Sequence, residues 1–162
     1  MKKQTTIIVL VALTIIVGLT WMGVALGNEK KALLEKLSSR ELALRQTTDM
    51  ATVYHIHPEL AIFIDGKQVA IPHNIGVGVN GMTAIHTHDE DGVIHIEAPI
   101  KKDFVLGDFF AVWGKEFSKT RLLDTTIADT GKIAVTVNGS PVDTYENTIL
   151  RDKDKIVISY QQ

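Results

Sequence analysis

The residues best equipped for chemistry in this 162-residue chain are its six histidines. All fall between positions 55 and 95: His55 and His57 in VYHIHP, His73 in IPHNIG, His86 and His88 in AIHTHDEDG, and His95 in VIHIE. There is no cysteine, which excludes disulfides, thiolate metal sites and thiol redox catalysis. Imidazole is the commonest metal ligand in proteins. Side chains two apart on a strand point the same way, so each H-x-H can turn two rings toward one ion. Three histidines, or three plus a carboxylate, suit a zinc or copper(II) ion. Ligation without sulfur argues against copper(I) and iron–sulfur clusters.

The pattern over 83–97 sharpens this reading. Ile85 and Thr87 oppose Ala84, His86 and His88, while Ile94 and Ile96 oppose Val93, His95 and Glu97. A hairpin with an even loop gathers the isoleucines on one face. A two-residue Asp91-Gly92 turn pairs His88 with His95 and His86 with Glu97; a four-residue loop over 89–92 pairs His86 with His95. Both put His86, His88, His95 and Glu97 on the face opposite the isoleucines, and only a three-residue loop with a bulge breaks the arrangement. The candidate metal ligands are therefore His55, His57, His86, His88, His95 and Glu97. The competing reading treats the same rings as polar surface on half-exposed strands. His73, in a loop, is a weaker candidate, and Asp89, Glu90 and Asp91 read as turn residues because no EF-hand spacing follows.

Short strands and one short helix must position these groups. LAIFI-DG-KQVAI (60–71) predicts a hairpin around Asp65-Gly66, and IAVTV-NG-SPVD (133–143) another around Asn138-Gly139. DFVLGDFFAVWG (103–114) predicts a short helix with Phe109, Phe110 and Trp113 on its apolar face and Gly114 as its stop. KIVISY (155–160) predicts a last strand. This α+β order suggests a small, mostly antiparallel β domain with one short helix, β-grasp-like, with a β-sandwich or jelly roll as the alternative.

Residues 5–27 carry no charge, and 23 helical residues span about 35 Å, enough for a hydrocarbon core of about 30 Å. The expectation is an N-terminal transmembrane helix, 1–27, rather than a cleaved signal peptide, whose apolar region is shorter. Residues 28–50 then read as a helical stalk with a homodimer or membrane-complex contact over 28–48, and 51–162 as an extracytoplasmic histidine-rich domain. On this reading the chain sits in a cell membrane as a single-pass protein. Outside the first 27 residues the net charge is −4, which gives no footprint for nucleic acid.

Other motifs fail on context. The G-x-G-x-x-G at 76–81 precedes a strand rather than a helix. No serine stands in a nucleophile elbow. His86-Thr87-His88 lacks the later histidine a cupin requires.

The runs HIHPELAIFIDGKQVAIPHNIGV, IHTHDEDGVIHIEAP, FVLGDFFAVWGKEFS and VTVNG…RDKDKIVISY resemble a family of small membrane-anchored archaeal and bacterial proteins. The resemblance covers about residues 53–160. Its signature of HxHP, IP-x-NIG, HTHD-x-xG-x-IHIE and LGDFF-x-x-WG takes in His55, His57, His86, His88, His95 and Glu97 as one unit, whereas His73 falls where the pattern is loose. The resemblance implies no activity. The residues themselves predict a metal-binding protein, loaded with copper or zinc, for metal capture, delivery or an accessory role. The alternatives are a metal-dependent enzyme with an open coordination position, using Glu97 or Glu90 as base, and a metal-free interaction module.

Overall fold

A computed structural model describes residues 2–48 and 52–162, so the expected stalk–domain boundary at 50/51 lies outside the described residues. The chain divides into two compact units, Met1–Lys36 and Leu37–Gln162. The first is one helix, α1 (Lys2–Lys36). Here the transmembrane expectation is corrected. Among the described residues no helix is long and apolar enough to cross a membrane. The single-pass membrane location, with an extracytoplasmic C-terminal domain, loses its support with it.

The second unit begins within the segment expected to form a stalk. Helix α2 (Ser39–Ala43) starts with a capping box, Ser38 Oγ accepting from the Glu41 amide at 3.1 Å and Glu41 accepting from the Ser38 amide at 2.8 Å. After β1 (Gln46–Thr47) come β2 (Tyr54–Ile56), β3 (Glu59–Ile64) and β4 (Lys67–Val69). A glycine-rich ribbon, β5 (Val77–Gly78) and β6 (Gly81–Thr83), leads to β7 (Ile85–His86) and β8 (His95–Ala98). Helix α3 (Leu106–Trp113) is followed by a meander of β9 (Glu116–Ser118), β10 (Arg121–Leu123) and β11 (Thr125–Thr126). The chain closes with β12 (Lys132–Val137), β13 (Ser140–Val142), a 3-10 turn (Tyr145–Asn147) and β14 (Lys155–Gln161).

The expected fold is also corrected in detail: α2 joins α3 as a second short helix in this unit, and the largest sheet is mixed. Its order is β13-β12-β14-β3-β4, with β14 and β3 parallel at the centre and antiparallel hairpins on either side. The hairpins turn at Asp65-Gly66 and Asn138-Gly139, all four residues at positive φ, the geometry that Asp-Gly and Asn-Gly favour. Alternation along β14 buries Ile156, Ile158 and Tyr160. Register lines up Val135, Ile158 and Ile62 across three strands, all at most 1% exposed.

The smaller sheet, β2-β8-β7, carries the histidines. Its inner face is Ile56, Ile96 and Ile85, adjacent in register and buried. Helix α3 packs against β7, and its Phe109 and Phe110 are buried. Gly114 ends it at φ 72, with the Lys115 amide donating to Phe110 at 2.9 Å. Asp108, 1% exposed, accepts from Arg40 Nε at 2.8 Å and from the Val105 amide at 3.1 Å, which ties α2 to the start of α3.

Candidate metal centre

Register brings the rings together. His55 stands opposite Glu97, and His86 opposite His95. Continuing the β2–β8 register by one residue carries His57 beside His95. The register is that of the longer, four-residue alternative, but the ladder stops at His86 and His95: the Thr87 amide donates to Ile75 at 3.0 Å and Val93 bridges to Glu59, so the connecting loop runs over 87–94. That loop is pinned to its neighbours: the Leu60 amide donates to Gly92 at 2.9 Å and the Ile94 amide to Pro58 at 2.8 Å. Gly92 sits at φ 81, and a Cβ there would lie 2.3 Å from the Leu60 carbonyl oxygen, so only glycine fits.

Five imidazoles form one continuous cluster. Ring centroids are 4.4 Å apart for His55 and His57, 4.8 Å for His57 and His95, 4.6 Å for His88 and His95, and 4.8 Å for His86 and His88. His86 and His95 stack at 5.5 Å. Two groups have nitrogens all within 4.8 Å of one another: His55, His57 and His95, and His86, His88 and His95. His95 belongs to both.

A hydrogen bond orients one of the rings, and carboxylates stand beside two others. His86 Nδ1 lies 3.1 Å from the Thr83 carbonyl oxygen. A carbonyl only accepts, so Nδ1 carries the proton and Nε2 of the neutral ring keeps its lone pair. That Nε2 is buried with no hydrogen-bond partner among the described residues. His55 Nε2 lies 3.2 Å from Glu97 Oε1. Asp152 Oδ1 is 4.0 Å from His57 Nδ1 and accepts the His57 amide at 2.9 Å. A carbonyl or carboxylate behind a histidine is the usual outer support of a metal site.

Burial holds the His86 imidazolium below its ordinary range, against the opposing pull of the Thr83 carbonyl and Glu97. His95 is lowered too, first by burial and then by the neighbouring His88, His57 and His86. Both shifts favour the neutral rings that a metal needs.

Of the six candidate ligands, the five histidines converge, while Glu97 stands against His55 and belongs to neither triad. The competing reading made this face polar surface, yet His86 is fully buried. His73 lies outside both triads, its Nδ1 2.7 Å from Asn74 Nδ2. Asp91 caps the turn by accepting the Val93 amide at 2.9 Å. Sequence reasoning missed Thr83 and Asp152. Thr83 acts through its backbone and Asp152 lies 95 residues from His57, so neither leaves a local spacing to read. No family model, no curated protein and no solved structure matches this chain, and the reading of the centre rests on its own geometry.

Proposed function

We propose that this chain is a metal-binding protein that takes zinc or copper(II) on imidazole ligands, for capture, delivery or an accessory role in handling the ion. The observation that carries this reading is the orphaned His86 Nε2. A buried polar atom without a partner costs about 1–3 kcal/mol, and this ring stands beside those of His88 and His95. A bound cation removes the cost. Three histidines are a common ligand count for zinc, leaving a fourth position for water or a donor group. Of the two bases the enzyme reading offers, Glu97 is engaged by His55 and Glu90 is exposed and belongs to neither triad, which favours binding over catalysis.

The test is metal analysis of the full chain after incubation with zinc or copper(II) and desalting. About one retained equivalent is expected. Less than about a tenth of an equivalent would remove the proposal, and the metal-free interaction module would take its place.

A further inference from the structure

The five histidines form two triads of unlike character that share one member, and their difference has a direction. His55 and His57 are 48% and 40% exposed at the side chain; of the other pair His88 is exposed, while His86 is 0% exposed. Carboxylates stand behind the outer pair, Glu97 at His55 and Asp152 at His57. A backbone carbonyl stands behind His86. The outer triad is thus backed by negative charge, which draws cations from solution. The inner triad joins the exposed His88 to a desolvated His86 nitrogen that has no other partner among the described residues.

Resting on the metal-binding reading above, we propose that His95 is a shared pivot that makes the two triads alternative stations for one ion. The ion enters at His55, His57 and His95. It then exchanges His55 and His57 for His86 and His88 while His95 remains bound. No proton or electron need be transferred: two neutral imidazole nitrogens leave the ion as two others join it. The ring spacings support the exchange, with His95 4.8 Å from His57 on one side and 4.6 Å from His88 on the other. Simultaneous occupancy is disfavoured. Two dications flanking one imidazole would require it to lose its remaining proton, and they would repel each other in a partly desolvated site.

Zinc titration and stopped-flow loading of the full chain, with a chromophoric zinc indicator as competitor, test this. Wild type should bind one tight equivalent. His57→Ala should keep that equivalent with affinity within about threefold and load at least about tenfold more slowly. His86→Gln should load at the wild-type rate and bind at least about tenfold more weakly, within the range known for the loss of groups that support a metal site. His95→Gln should lose both properties. Two equivalents of similar affinity in wild type would overturn the relay while leaving metal binding intact. So would a His57→Ala variant weakened as much as His86→Gln and loading at the normal rate. Absence of zinc binding in wild type would overturn both proposals together.

Discussion

His86 donates a hydrogen bond from Nδ1 to the carbonyl of Thr83, three residues earlier in the chain and 3.1 Å away. That short-range bond fixes which nitrogen of the ring is left bare, and the bare one is buried. The apo protein therefore holds a polar atom at a cost, and removing the atom should reveal it. His86→Leu should leave the apo protein at least as stable as wild type to within about 1 kcal/mol, since the lost Nδ1 bond and the relieved Nε2 offset each other. The same variant should lose most of the stabilisation that added zinc gives wild type by mass action. Thermal melts with and without zinc check both. Strong destabilisation of the apo variant would mark His86 as a structural residue.

Stability should depend on pH in a set direction. His86 and His95 titrate below the ordinary histidine range when folded, so the unfolded chain binds protons more readily at these positions. Their contribution is complete above the unfolded value of about 6.5 and is lost as pH falls from there through the lowered folded values. The apo melting temperature should drop between pH 7 and pH 5, and more steeply than in His86→Leu. Equal slopes would show that His86 does not report through its proton.

Gly76 supports the site from behind. It sits at φ 74, and a Cβ there would lie 2.3 Å from Thr83 Oγ1 and 2.5 Å from the Ile85 carbonyl oxygen. Gly76→Ala must push on the residue whose carbonyl holds His86. We expect a loss of more than about 1 kcal/mol from strain at this backbone position, seen in denaturant unfolding, with weaker zinc binding alongside. A neutral variant would mean the loop can move without disturbing Thr83.

The aromatic face of α3 is graded. Phe109 is 0% exposed, whereas Trp113 is only half-buried. Phe109→Ala should cost about 3–5 kcal/mol, and Trp113→Ala clearly less. Denaturant midpoints at unchanged slope measure the difference, and equal costs would contradict the grading.

Legibility in the sequence followed the range of the interaction. Asp65-Gly66 and Asn138-Gly139 carry their turn geometry in two residues, and the stop at Gly114 in one. The shared face of His86, His88 and His95 follows from strand periodicity, as does the burial of the isoleucines opposite. The choice between a two-residue and a four-residue loop was beyond periodicity, because it depends on Leu60 and Pro58 gripping the loop from another strand. Burial of His86 was hidden for a related reason: alternation tells which face a ring is on, but not what lies over that face. The parallel pairing of β14 with β3 joins segments nearly 100 residues apart, and no local pattern encodes it. The apolar N-terminal run led to an anchor that the described helix does not support.

The most direct test of the account is the protonation state of His86 with and without metal, read by long-range proton–nitrogen NMR on histidine-labelled full chain. Without metal, His86 should be neutral, with the proton on Nδ1 and a bare Nε2. One equivalent of zinc should shift the Nε2 resonance while Nδ1 keeps its proton. A proton on Nε2 in the apo protein, or an Nε2 resonance indifferent to zinc, would contradict the central claim that the fold presents this nitrogen to a cation.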